Sequence, residues 1–237
     1  MSGRVGSITT DIIADGLIFN MDAANRASTI PSTSTTTVFN TINLAENGLF
    51  QDDTQFNETD GIKSFQFDGI DDYIDCNNIS SINSLTSLTI SIWCKKDDSG
   101  DVVGVNSYIT NSNKILLYNW TDNTIYFGVR NGATNTSPTY ALSHDSNYHN
   151  YTGVYKGGIS LELYVDGISR SSNTINVPSN VASTIGNYMS IGYINKTNYT
   201  EGNIANMHLY NHALSANEVL HNYNALKGRF GLWNSGQ

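Results

Sequence analysis

Apolar and polar residues alternate with period two along most of the chain, which is the pattern of strands that bury one face. In Gly16 to Asp22 the residues Leu17, Phe19 and Met21 share a face opposite Ile18, Asn20 and Asp22. In Leu88 to Lys95 the core face reads Leu88, Ile90, Ile92 and Cys94, which leaves Trp93 pointing the other way. Ser64 to Asp68 alternates Phe65 and Phe67 with polar residues. Further strands are predicted at Ile125 to Arg130, Tyr148 to Tyr155, Leu161 to Val165, Met189 to Tyr193 and Ile204 to Tyr210. Many short strands divided by turn residues indicate a sandwich or barrel. Asp166-Gly167 predicts a type I′ hairpin, because both residues accept a left-handed backbone. Gly157-Gly158 marks a second break, and the Ser/Thr-rich stretch Ser28 to Thr37 predicts an exposed loop. One helix is expected. Ser215-Ala-Asn-Glu218 matches a capping box, Val219, Leu220, Tyr223 and Leu226 follow at helical spacing, and Gly228 is placed to end it. Its apolar stripe should dock on the sandwich, and Trp93 should pack under a loop or beneath that helix.

Composition agrees with an all-β chain. Charged residues make up 14% of 237, and Asn, Ser, Thr, Gly and Tyr are abundant, which suits strands and polar turns. Sandwiches of this length often form one domain, and no internal repeat is visible. The net charge of −9 repels phosphate backbones, so nucleic-acid binding is not expected. No apolar run approaches membrane-spanning length, so no membrane insertion is expected. Met1 to Ser7 is polar and small, which reads as no signal segment. With no such signal, Cys76 and Cys94 read as buried free thiols.

Six segments, taken in order, carry a resemblance. Gly16-Leu-Ile-Phe-Asn-Met-Asp-Ala-Ala-Asn25 looks like an opening strand, and Asn43-Leu-Ala-Glu-Asn-Gly48 stands for Asp-Leu-Ser-Gly-Asn-Gly. Ser64-Phe-Gln-Phe-Asp-Gly-Ile-Asp-Asp-Tyr73 and Leu88-Thr-Ile-Ser-Ile-Trp93 follow. Tyr148-His149 with Leu161-Glu-Leu-Tyr-Val-Asp-Gly167, then Gly202 to Tyr210 with Ala213 to Glu218, complete the set. The chain thereby resembles the laminin-G-like, concanavalin A-like jelly-roll domains common in bacterial and phage proteins. That resemblance implies a two-sheet antiparallel jelly-roll sandwich over 14–228, with a short C-terminal helix, an N-terminal segment 1–13 and a C-terminal tail 229–237. Asn222-Tyr-Asn-Ala-Leu-Lys-Gly-Arg-Phe-Gly231 is similar to the closing segment of tailed-phage particle proteins. The resemblance implies a virion structural protein, such as a fibre, decoration or tail-associated module, made in the host cytoplasm. Its partners would be other virion proteins, further copies of itself, or host-surface glycans. Met1 to Asp11 and Phe230 to Gln237 are the natural contact segments.

Two other functions stay open, a stand-alone carbohydrate-binding lectin and a glycoside hydrolase. The hydrolases of this fold carry Glu-x-Asp-x-x-Glu on one strand, to hold two carboxylates about 5 Å apart. That motif is absent, and Glu162, in its strand, has no acidic neighbour at the required spacing. No nucleophile elbow, phosphate loop or dinucleotide fingerprint occurs, so the expectation is no enzyme and no catalytic residue. His208 and His212 lie on a strand-to-turn segment, where a four-residue spacing does not face both toward one zinc. No organic cofactor is expected. Related domains often hold a calcium at the sandwich edge, and Asp68, Asp71 and Asp72, with Asp75 beyond, form the densest acidic stretch. Against it, Ile204-Ala-Asn-Met207 lacks the acidic pair often found there. A glycan site needs aromatic faces beside polar groups, and Tyr118, Trp120, Tyr193 and Tyr199 in Asn-rich segments are the candidates.

Overall fold

The computed structural model describes residues 12–29, 36–97, 102–108, 115–129, 137–181, 188–194 and 198–232. Every paired strand runs antiparallel, in two eight-stranded sheets packed face to face. The strands are β1 (Leu17–Asp22), β2 (Thr37–Val38), β3 (Gly48–Gln51), β4 (Gln55–Thr59), β5 (Ile62–Asp68) and β6 (Tyr73–Asn78). β7 (Ser87–Lys96), β8 (Val102–Tyr108), β9 (Ile115–Asn119), β10 (Thr124–Val129), β11 (Thr139–Ala141) and β12 (Tyr148–Lys156) follow. The remainder are β13 (Ser160–Val165), β14 (Ile168–Asn173), β15 (Tyr188–Ile191), β16 (Tyr193–Ile194), β17 (Asn198–Tyr199) and β18 (Glu201–Tyr210). The first sheet has the order β14-β13-β12-β7-β18-β5-β4, with β1 also on β18. The second has the order β11-β10-β9-β8-β15-β6-β3-β2, and β16 and β17 form a separate hairpin. The jelly-roll architecture implied by the sequence is the one observed.

The alternating apolar residues meet between the sheets. Leu88, Ile90, Ile92 and Cys94 from β7 pack with Phe65 and Phe67 from β5 and with Ile125 and Phe127 from β10, all essentially without solvent contact. Cys76 and Cys94 are free thiols inside this core, where burial raises both pKa values. A bulge in β1 between Leu17 and Phe19 exchanges the expected faces of two residues. Phe19 and Met21 stay in the core, but Ile18 joins it and Leu17 turns to the outer side. Asp166 and Gly167 both take the left-handed backbone of the predicted turn, with φ of 54° and 74°.

The outer face of the first sheet is covered by helix α1 (Ala216–Leu226) and the 3₁₀ turn after it. The Ser215 hydroxyl accepts from the Glu218 amide and the Glu218 carboxylate accepts from the Ser215 amide, so the capping box forms as predicted. Val219 and Leu226 are buried, but Leu220 is 42% exposed. Asn222 takes the inward position instead, donating to the Tyr210 hydroxyl and accepting from the Ile13 amide. Gly228 does not terminate the helical path. The chain continues through Lys227–Phe230, and the left-handed residue is Gly231.

Trp93 lies beneath this segment, as its outward position demanded. Its indole stacks on Phe230 at 4.2 Å and on Tyr223 at 5.5 Å. A buried ion pair between Arg229 and Asp22, 2.7 Å, holds the same turn to β1. The tail expected from residue 229 is therefore packed structure through 232, and Phe230 is not available as an assembly contact. Ile12 and Ile13, inside the expected N-terminal segment, pack on the same layer. Met1 to Asp11 and residues 233–237 lie outside the described residues. So do residues 30–35 of the Ser/Thr-rich loop, whose first residue, Ser28, is buried with its hydroxyl accepting from the Asp22 amide.

Candidate functional site

With the first sheet covered, the exposed chemistry gathers on the outer face of the second sheet and on the loops at its edge. The β5–β6 connection folds tightly because Gly69 adopts φ 82°, and a Cβ there would stand 3.0 Å from the Glu201 side chain. Asp68 Oδ1 accepts from the Ile70 amide, and Asp72 Oδ2 accepts from the Asp68 amide. In this loop one carboxylate oxygen each of Asp68, Asp71 and Asp72 lies within 4.8 Å of the others. Asp68 and Asp71 are exposed, whereas Asp72 is only 3% exposed. The Thr54 hydroxyl reaches the Gln51 and Tyr73 carbonyls and also the Asp72 carboxyl, where it opposes the rise in pKa. Partial desolvation and the charges of Asp52, Asp68 and Asp53 raise the Asp71 pKa, and burial with Asp68 does the same to Asp72. Crowded carboxylates of this kind suit a hard cation that takes oxygen ligands, so the residues present fit calcium. Asp75 stands apart from the group, with Oδ1 capping the Asn77 amide.

The β16–β17 hairpin folds back over β8 and assembles an aromatic surface. Tyr193 and Tyr199 lie directly opposite one another with ring centroids 5.7 Å apart, and Tyr73 from β6 joins them at 4.7 and 6.5 Å. Ile194 alternates away from Tyr193 and seats itself on Leu116, Tyr118 and Trp120. Tyr118 in turn stacks on Tyr126 at 4.9 Å and meets Trp120 edge-on at 5.4 Å. All four aromatic candidates thus flank one hairpin, half-buried, with rims open to solvent. Tyr73 and Tyr126 join these candidates only in the folded chain. Tyr126 alternates outward between the buried Ile125 and Phe127, a signal that was present, but its stacking on Tyr118 depends on cross-strand register.

A polar cleft beside Trp120 was not anticipated. It is lined by Lys96, Asn119, Asn123, residues 142–147, His149 and Tyr151. The Lys96 ammonium is drawn into its wall by the Trp120 carbonyl at 2.6 Å and Asn123 Oδ1 at 2.9 Å. His149 spans Asp166 at Nδ1, 2.7 Å, and Asp145 at Nε2, 3.0 Å. Burial opposes its protonation, but the two carboxylates prevail and raise its pKa.

Glu162, weighed for catalysis, is held by its neighbours, and His208, weighed for zinc, is sealed in the interior. Glu162 accepts from Lys156 at 2.8 Å and Ser160 and Tyr164 at 2.9 Å, and these bonds outweigh burial to lower its pKa. A carboxyl so held is a poor general acid. His208 is buried beside Asp22 and Arg229, and desolvation depresses its pKa to about 4. No helix among the described residues is long and apolar enough to cross a membrane.

Comparison with solved structures gives the same architecture. The binding domain of botulinum neurotoxin DC in complex with SialylT aligns with a TM-score of 0.65 and 11% identity, over 90% of this chain and 52% of that one. The same domain in complex with rat synaptotagmin II gives 0.66 and 13%, with the same coverage. The binding domain of botulinum neurotoxin serotype G gives 0.63 and 14%, over 87% and 50%. The chain spans about half the length of these solved chains, and at such identities the likeness is one of fold. No curated protein sequence matches the chain. A family model described as the concanavalin A-like lectin/glucanases superfamily matches residues 68–220, from the acidic loop through the capped start of α1. The strand order, the paired sheets and that match agree: the chain belongs to the concanavalin A-like lectin/glucanases superfamily.

Proposed function

We propose that this domain is a non-catalytic glycan-binding module of a tailed-phage particle, a fibre, decoration or tail-associated component that adheres to host-surface sugars. The observation that carries the binding role is the convergence of Tyr118 and Trp120 with Tyr193 and Tyr199 around one hairpin, extended by Tyr73 and Tyr126. Sugar faces stack on such rings while their hydroxyls bond to adjacent polar side chains. Asp68, Asp71 and Asp72 would hold a calcium ion, which would neutralise the loop beside Tyr73 and fix its shape. The absence of catalysis is supported by Glu162, which is fully engaged by Lys156, Ser160 and Tyr164. The particle setting is supported by the similarity of Asn222 to Gly231 to the closing segment of tailed-phage proteins. A stand-alone lectin is the second reading. It is supported by the aromatic surface, which a single chain assembles by itself.

A glycan array probed with the intact chain tests the binding role. Binding that is lost in Trp120→Ala and Tyr199→Ala, both folded, is the expected result, and an array with no hits contradicts it. Light scattering separates the two settings: self-association or co-assembly with particle proteins favours the virion, and an isolated monomer that binds glycan favours the lectin.

A further inference from the structure

The layer formed by α1 and the 3₁₀ turn is attached to the sandwich without sharing its core. Trp93, Leu226 and Phe230 form a small cluster with Ile12 and Ala205, and Val219 forms another with Leu214 and Tyr210. The residues between the sheets make a separate, larger cluster. Units with their own apolar contacts can open one at a time. Beneath this layer the outer face of the first sheet is polar and incompletely paired. Nε1 of Trp93, both side-chain amide atoms of Asn206 and Nε2 of His208 are buried there with no hydrogen-bond partner. Each such atom weighs against the closed layer and is hydrated when the layer lifts. His208 also sits beside the charges that hold the layer down. Its cross-strand neighbours are Asn20 on β1 and Ser91 on β7, both neutral. Among the described residues, the charged groups acting on it are Asp22 on β1 and Arg229 on the 3₁₀ turn. Arg229 already holds Asp22 at 2.7 Å and donates to the Lys63 carbonyl at 3.2 Å. A proton on His208 therefore makes two buried cations share one carboxylate.

We propose that protonation of His208 unlatches the C-terminal layer, so that α1 and the 3₁₀ turn lift off a sandwich that stays folded. Lifting puts the imidazole in water, where it takes its proton at about pH 6.5. In the closed form burial, with Arg229 nearby, holds its pKa down to about 4. Between those values the open form binds a proton that the closed form refuses, so opening is favoured as pH falls through this window. At pH 5 the open form is ~20-fold more populated than at pH 7. The release is independent of the glycan surface, which lies on the other sheet.

Hydrogen exchange of the intact chain tests the latch, read peptide by peptide by mass spectrometry and corrected for the intrinsic pH dependence of exchange. Between pH 7 and pH 5 the protection of residues 216–230 should fall ~20-fold, while that of β7 and β13 falls less than about twofold. His208→Gln takes up no proton at either pH and should keep the protection of residues 216–230 constant. His208→Asn repeats the test with a smaller neutral side chain and should do the same. Equal falls in the layer and in the strands mark unfolding of the whole domain and overturn the separate latch. Protection of residues 216–230 that does not change with pH in the intact chain overturns it as well. A fall that persists in both variants assigns the trigger to another group, such as His212 before the helix or the exposed His221 on it, and overturns the role of His208.

Discussion

Replacing Phe230 by Ala tests whether the segment after α1 is part of the fold. The Phe230 ring is 7% exposed, stacks on Trp93 at 4.2 Å and meets Tyr148 at 5.0 Å. Removing a buried phenyl forfeits about 2 kcal/mol of transfer free energy. Two aromatic contacts add ~0.5–1.5 kcal/mol each, for a total of ~3–5 kcal/mol, the usual range for a buried Phe→Ala change. In a chain of this size that corresponds to a fall in Tm of roughly 6–20 °C. Arg229→Ala should cost a similar ~3–5 kcal/mol by a different route, because it leaves Asp22 charged and 1% exposed without its ion-pair partner. Equilibrium urea unfolding followed by tryptophan fluorescence measures both, and Phe230→Leu should recover most of the first loss. If Phe230→Ala costs less than ~1 kcal/mol with an unchanged emission maximum, the segment is a free tail and the packing described for Trp93 is wrong.

Further outcomes follow from the charged groups. Calcium should raise the Tm of the intact chain, and Asp72→Asn should abolish that rise; an equal rise in both proteins would place the ion elsewhere. His149 has a folded pKa above its ordinary value near 6.5, so its contribution is full below that value and is lost as pH rises through the folded one. His149→Gln should therefore flatten the stability profile on the alkaline side, measured as urea midpoints from pH 6 to 9. His208 runs the other way. The unfolded chain binds its proton near pH 6.5 while the folded chain resists to about 4, so acidification across that window destabilises, by ~3 kcal/mol in total. The difference between the intact chain and His208→Gln over pH 4 to 7 isolates that loss, and a constant difference would contradict it.

Local features of this fold were legible in the sequence wherever one residue's neighbours decide its state. The faces of β5, β7 and β13, the Asp166-Gly167 turn and the Ser215–Glu218 cap follow from alternation and short-range hydrogen bonds. Trp93 was legible too, since a large ring on the polar side of a core strand requires a second layer. The exceptions have non-local causes. The β1 bulge, which exchanges Leu17 and Ile18, is set by pairing with β18 almost two hundred residues later. Leu220 and Asn222 exchange roles because Asn222 can satisfy both the Tyr210 hydroxyl and the Ile13 amide. In the candidate site, residue types signalled Tyr118, Trp120, Tyr193, Tyr199 and the three aspartates. The fold-back of β16–β17 that gathers the aromatics, and the His149 bridge between Asp145 and Asp166, arise only from tertiary pairing.

Sugar binding on the outer face of the second sheet can be read ring by ring. An NMR titration resolving the Tyr and Trp ring signals, with whichever glycan the array selects, tests it most directly. Shifts should concentrate on Tyr73, Tyr118, Trp120, Tyr126, Tyr193 and Tyr199, with Trp93 unmoved beneath α1. Shifts centred on His149 and Tyr151, or none on the tyrosine face at saturation, would contradict it.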